Sequence, residues 1–233
     1  LDAVSRLVNK TTARLLYLAW LNLPFARRPL DGLMRRVFDS LAPGWGERTH
    51  WQDRLAPLDE ALARIDASPA RVADLGCGTG EATIALAQRF ASAWVIGVDI
   101  SPEMLARARV AAREAGTAIQ FHEEPIEHTS IEDDSVDLVV LVNTPPPFAE
   151  IARILAPAGR AVVVYTQGPA TFFYSGPNRL RRGFARQAMT ELCHGGAGKG
   201  EYFVAAHAAV LARSGIPSAR ERSAQTRVAG VPR

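Results

Sequence analysis

Val72-Ala-Asp-Leu-Gly-Cys-Gly-Thr-Gly80, followed after a helix-length interval by Val95-Ile-Gly-Val-Asp99, decides the fold. A short apolar run enters a turn of three glycines, a helix-like stretch covers Glu81 to Ala91, and a second apolar run ends on a carboxylate. That order is a strand, a tight loop, a helix and a strand, one nucleotide-binding βαβ unit. Gly76 and Gly78 permit backbone angles and close approaches that a side chain would block. The loop amides can then face a ligand at a helix N-terminus. Asp99, at the carboxyl end of the second strand, is placed to accept both hydroxyls of a ribose.

Spacing narrows the ligand. A dinucleotide fingerprint G-x-G-x-x-G would put its third glycine at position 81, where the chain has Glu81; the glycine falls one residue early, at Gly80. A P-loop needs a lysine after the turn, and none follows. A carboxylate just past the turn repels a pyrophosphate and suits a ligand with an ammonium and a sulfonium. Asp74-Leu-Gly-Cys-Gly-Thr-Gly80 together with Asp99 resembles the class I S-adenosylmethionine-dependent methyltransferases, and the pattern extends from about Ala70 to His207. The resemblance implies a Rossmann-like α/β fold: a doubly wound seven-stranded sheet with an antiparallel terminal hairpin. It also implies S-adenosyl-L-methionine as cofactor; no metal is expected, since no Cys/His spacing matches a site.

The rest of the chain fits around this core. Its 233 residues allow one substantial domain, and 48% hydrophobic residues suit a globular protein. The net charge of +3 comes almost wholly from arginine, since Lys10 and Lys199 are the only lysines; this balance does not favour a nucleic-acid partner. Cys77 and Cys193 are far apart and match no zinc spacing, so a reducing cytoplasm is the expected compartment.

Three regions are expected: a helical N-terminal cap or lid over 1–68, the cofactor-binding core over 69–212, and a loose polar tail over 213–233. In the cap, Leu33, Val37, Phe38 and Leu41 recur at helical spacing. Phe38-Asp39-Ser-Leu-Ala-Pro-Gly-Trp45 resembles the N-terminal segment of quinone-biosynthesis-type methyltransferases, which folds over the cofactor in those relatives. The apolar run Leu15 to Phe25 is shorter than the about 20 residues a membrane span needs. It reads as an amphipathic helix over the site, with peripheral membrane contact as the alternative.

In the core, strands are expected at Arg71–Leu75, Trp94–Asp99, 118–122, 137–142 and 160–165, with a hairpin of Thr190–His194 and Glu201–Ala206 turning through Gly195 to Gly198. A helix capped by Ser101 and started by Pro102 should stop at Gly116. A later helix should run to Leu155, with Ala156 to Gly159 as a turn.

The resemblance assigns cofactor contacts to Asp74, Gly76, Cys77, Gly78, Thr79, Gly80 and Asp99, with Asp74 toward the methionine ammonium and Cys77 as a small filler. Ile100 and Met104 follow Asp99 and can pack on the adenine face, or simply within their helix. The adenine-edge acid of relatives falls at Pro125, between Glu124 and Ile126. Either Glu124 replaces it or backbone groups read the base. Asn143 opens Asn143-Thr-Pro-Pro-Pro-Phe148, an imperfect version of the [DNS]-P-P-[FYW] motif of amino-methylating DNA enzymes. No recognition domain or basic aromatic channel accompanies it, so a rigid loop lining the methyl-transfer pocket is favoured.

His50 and Tyr165 are the candidates for a general base, each with a structural role as the alternative. A base is needed only for a protonated acceptor atom. Arg179, Arg181, Arg182 and Arg186 form either a solvated face or an anion-capture site. The acceptor is expected to be a small apolar or aromatic molecule. A non-catalytic S-adenosylmethionine-binding regulatory or structural protein is the alternative, and an aminopropyltransferase, which would need an acidic polyamine pocket, is a third.

Overall fold

A computed structural model describes residues 32, 33, 35, 36, 38, 39, 42, 54–65, 68–171 and 173–208. Leu15 to Phe25, His50 and the 213–233 tail lie outside the described residues, as do Val37 and Leu41. The described order is α1 (Ala56–Ala63), β1 (Arg71–Leu75), α2 (Glu81–Arg89), β2 (Trp94–Asp99), α3 (Pro102–Glu114), β3 (Ile119–Glu123), β4 (Val136–Val142), α4 (Phe148–Ile154), β5 (Leu155–Tyr165), α5 (Pro177–Ala185), β6 (Met189–Ala197) and β7 (Gly200–His207).

The seven strands form one sheet in the order β3-β2-β1-β4-β5-β7-β6. β1 to β5 run parallel, and β7 is antiparallel to both β5 and β6. The winding reverses between β1 and β4, and ligands of open α/β sheets bind beyond the carboxyl ends of strands at such a switch.

β4 shows why the sheet is central. Val139 and Leu141 join one buried cluster, with Ile151, Ile154 and Phe184. Leu138 and Val140 join the other, with Leu58, Leu62 and Leu86. Neighbouring residues of a strand face opposite sides, so a strand buried on both is apolar throughout. Edge strand β3 is only partly covered.

Two boundaries differ from the sequence reading. α4 ends at Ile154, and Leu155 already pairs with Val136, so β5 begins before the expected turn. Pro157 cannot extend a helix and biases Ala156 toward extended angles. The residues up to Arg160 then bulge out, because Arg160 is the next to pair, with Leu138. The hairpin is also longer than expected. Gly195 and Gly196 lie within β6, pairing with Tyr202 and Glu201, and the turn is Gly198-Lys199. A side chain at Gly195 would begin 2.7 Å from the Tyr202 hydroxyl, so this glycine admits a neighbour rather than bending the chain.

Most of the 1–53 stretch of the expected 1–68 cap lies outside the described residues. Gly32, Leu33, Arg35, Arg36, Phe38 and Asp39 are helical, with Leu33 and Phe38 half-buried and both arginines exposed. Among the described residues, no helix is long and apolar enough to cross a membrane.

Candidate active site

The turn after β1 is held from below by β2. Gly76 N–H and Cys77 N–H both donate to the Val98 carbonyl, at 2.8 and 3.0 Å. Gly76, Gly78 and Gly80 have φ of +77, +54 and +88. Two of them also leave no room for a side chain. At Gly76 a Cβ would lie 2.6 Å from Thr144, in the loop after β4. At Gly80 it would meet Ala108 of α3 at 3.0 Å. Gly80, the residue one place early for a dinucleotide motif, is therefore where α2 and α3 close together. Cys77 is buried beneath the turn, with its sulfur 3.1 Å from where a Gly97 side chain would begin. Burial, then the nearby Asp74 and Asp99, push its thiol far up, so it stays protonated.

Three carboxylates surround this turn. Asp74 Oδ2 accepts the Thr83 hydroxyl at 2.6 Å, while the buried Oδ1 has no partner. Burial, opposed by Thr83 and reinforced by Asp99 and Glu81, pushes Asp74 up to about 7. Asp99 holds Gly78 N–H on one oxygen and Ser101 N–H on the other, each at 2.9 Å. Burial raises its pKa against the pull of those backbone amides. Glu81 accepts the Thr79 hydroxyl at 2.7 Å. In the arginine–carboxylate ion pairs among the described residues, none of these three carboxylates takes part.

Residues N-terminal to the core reach this cluster. Ser101, which caps α3 by accepting Met104 N–H, donates its hydroxyl to Asp39 at 2.5 Å. Arg35 pairs with Glu123 at the end of β3 at 2.6 Å. Met104 is buried and Ile100 half-buried beside Asp99.

The Glu124–Ile126 stretch is arranged differently from a free adenine-edge acid. Glu124 accepts both the amide and the hydroxyl of Ser130, at 2.5 and 2.6 Å, and lies 3.3 Å from His122. Its own N–H donates to the Asp99 carbonyl. Pro125 accepts His128 N–H, and Ile126 packs on the core.

At the ends of β4 and β5, Asn143 sits at φ +55 with both ends of its amide on Thr166: Oδ1 accepts Thr166 N–H at 2.9 Å and Nδ2 donates to the hydroxyl at 3.0 Å. Arg54 also reaches the Thr166 hydroxyl, at 3.3 Å. Tyr165 is 2% exposed and its hydroxyl meets no hydrogen-bond partner, although Ser175 lies nearby. Burial pushes it up to about 12, so at neutral pH the phenol keeps its proton and is a donor rather than a base. In α5, Arg181 is paired with buried Glu191, whereas Arg179, Arg182 and Arg186 are exposed.

Sequence reasoning did not find Thr83, Thr166, Tyr174 or Glu201. No short motif marks them, because each meets its partner only across the fold.

A family model described as a methyltransferase domain matches residues 72–159. The demethylmenaquinone methyltransferase of Deinococcus radiodurans is 30% identical over 185 residues, 72% of this chain and 75% of that protein. The chain belongs to the class I S-adenosylmethionine-dependent methyltransferase family. The malonyl-[acyl-carrier protein] O-methyltransferase of Dechloromonas aromatica is 33% identical over 68% of this chain and 57% of its own length. Against several such relatives the chain spans only 49–63% of their length. Among solved structures, the magnesium protoporphyrin IX methyltransferase of Synechocystis with bound S-adenosylhomocysteine shares the fold. Its TM-score is 0.59 at 18% identity, over 76% of this chain and 99% of that one.

The residues present fit the family's cofactor. An orphaned, buried carboxylate oxygen on Asp74 asks for a donor, and a cation is the donor that would best offset its desolvation. Asp99, already oriented by two backbone amides, keeps a further lone pair on each oxygen for a diol.

Proposed function

We propose that the chain is an S-adenosylmethionine-dependent methyltransferase acting on a small, apolar or aromatic acceptor in the cytoplasm. The observation that carries the reading is the unpartnered Asp74 Oδ1 beside the glycine turn braced by Asp99. Asp74 would accept the methionine ammonium and Asp99 the ribose hydroxyls, while Ile100 and Met104 would support the adenine. The Glu124 side chain is engaged by Ser130, so the adenine edge would be read by backbone groups of the Glu124–Ile126 loop.

Bound there, the cofactor supplies a methyl group on a sulfonium already activated for displacement. The protein's task is then alignment, since in-line attack needs the reacting atoms held at about 3 Å. Asn143, locked to Thr166, fixes the loop that faces the transfer. Phe38 and Phe173, with ring centroids 6.3 Å apart, connect the cap to the segment after β5 and would exclude water. The aromatic residues here favour an apolar acceptor. Cys77 and Cys193 are not joined to each other by a disulfide, which accords with a reducing compartment.

The test is calorimetry with S-adenosylhomocysteine and with NAD, followed by methyl transfer to a panel of small aromatic acceptors. Binding of the homocysteine compound alone, with turnover, is expected. Tight NAD binding without it would refute the assignment, and cofactor binding with no turnover on any acceptor would favour a regulatory protein.

A further inference from the structure

A polar cluster where β5 ends and β7 begins is left unused by the cofactor site. Tyr165, the last residue of β5, pairs directly with Glu201 of β7. Opposed residues of a ladder project from the same face, so the phenol and the carboxylate are neighbours. Tyr174 joins them. Its ring meets Tyr165 edge-on at 5.1 Å, and its hydroxyl donates to Glu201 Oε2 at 2.7 Å.

That bond uses one oxygen of the half-buried carboxylate. Oε1 accepts no hydrogen bond among the described residues. It lies 3.6 Å from where a side chain at Gly168 would begin. Glycine at this position, with φ +51, leaves the approach to the oxygen clear.

The cluster also lies beside the region where methyl transfer is expected. Tyr165 directly precedes Thr166, the residue clamped to Asn143 at the end of β4. Phe173, next to Tyr174, meets Phe38 of the cap, and the adjoining Asp39 bonds Ser101 beside Asp99. One short connection thus links the cofactor end of the sheet to Glu201. Its surroundings are aromatic. Tyr165, kept protonated by burial, is not a base, whereas a carboxylate is the stronger, charged acceptor for a ligand's hydroxyl.

Resting on the methyltransferase reading above, we propose that Glu201, oriented by Tyr174, selects the methyl acceptor by taking a hydrogen bond from a hydroxyl group on an otherwise apolar aromatic ring. Glu201 is a specificity-determining residue and Tyr174 a positioning residue. A site that hydrogen-bonds a substrate hydroxyl rejects the analogue lacking it, because the protein's polar group is then left buried and unpaired.

The full chain, saturated with S-adenosylhomocysteine, is titrated calorimetrically with 2-naphthol and with 2-methoxynaphthalene, which has the same ring but no hydroxyl proton. The naphthol should bind at least about tenfold more tightly, a ratio within reach of one hydrogen bond to a charged group. Glu201→Met, which removes both oxygens at similar length, should abolish the ratio. Glu201→Gln retains one acceptor oxygen and should keep part of it. Tyr174→Phe, which deletes one hydroxyl, should lower it several-fold. Affinity for S-adenosylhomocysteine should stay unchanged in all three. Equal binding of the two ligands by the wild type, failure of both to bind, or a full ratio in Glu201→Met would overturn the proposal. If Glu201→Met does not fold, an unchanged ratio in Tyr174→Phe overturns it. Failure of the wild type to bind S-adenosylhomocysteine would instead overturn the methyltransferase reading.

Discussion

The two ends of the switch point handle their polar groups in opposite ways. Around β1 and β2, carboxylates are buried with lone pairs to spare: Asp74 Oδ1 has no partner, and Asp99 meets only backbone amides. Around β4 and β5, most polar groups satisfy one another, as in the Asn143–Thr166 clamp and the Tyr174–Glu201 bond, although the buried Tyr165 hydroxyl does not. Glu150 extends the second pattern. Burial pushes its carboxyl up, but Arg153 and Thr129 together bring it below the usual range. The first end leaves carboxylate oxygens open, as the proposed cofactor site requires. The second is a scaffold with a few open atoms.

The sharpest way to break this contrast is Asp99→Ala. On the proposed reading the change removes two ligand contacts, together with the brace on Gly78 and Ser101. Hydrogen bonds to a charged group are worth about 1.5–3 kcal/mol each, so S-adenosylhomocysteine affinity should fall by about 100-fold or more in a calorimetric titration. A fall of only a few-fold would show that Asp99 serves the turn and not the ligand.

Next in size is Gly80→Ala, which tests whether the cofactor end is built on backbone geometry. A residue with φ +88 and a Cβ 3.0 Å from Ala108 should lose about 2 kcal/mol in urea unfolding. Gly116→Ala provides the comparison. It has φ +66 but nothing within 4 Å, so its loss should be about half as large.

The Asp74 carboxyl sharpens the contrast through pH. Its folded pKa, about 7, lies above the ordinary carboxylate value. The folded protein therefore binds more protons than the unfolded chain between those values. The contribution of Asp74 to stability is present at low pH and is lost as pH rises toward and through 7. Ligand binding should run the other way. The ionised carboxylate attracts an ammonium, so S-adenosylhomocysteine affinity should rise several-fold from one unit below that value to one unit above it. Asp74→Asn should flatten the profile. An unchanged slope would place the ammonium elsewhere.

The smallest expected effect is Glu124→Ala. With its carboxylate on Ser130, its loss should change S-adenosylhomocysteine affinity by less than about threefold, the scale of one exposed polar contact. A loss rivalling that of Asp99→Ala would return Glu124 to the adenine edge.

The readability of the chain follows the same division. β1 and β2 match their expected ranges, and Ser101, Pro102 and Gly116 mark α3 as anticipated, because glycine turns, caps and buried apolar runs are local signals. The start of β5 and the length of the β6–β7 hairpin differ from what the local pattern indicates. There, glycines that normally signal turns serve instead to admit a neighbouring side chain: Leu155 at Gly159, and Tyr202 at Gly195.

By itself, then, the sequence determined the alternating βα order, the glycine turn and the acids at its two sides, since each depends on residues within one or two elements. Only the tertiary structure decided that Asp39 reaches Ser101, that Asn143 is locked to Thr166, that Glu124 turns to Ser130, and that Tyr165, Tyr174 and Glu201 meet. Several of these contacts join residues far apart in the chain, and the others depend on how a loop folds back, so strand order, register and loop path choose each partner. The composition and periodicity of a single segment carry no record of those choices.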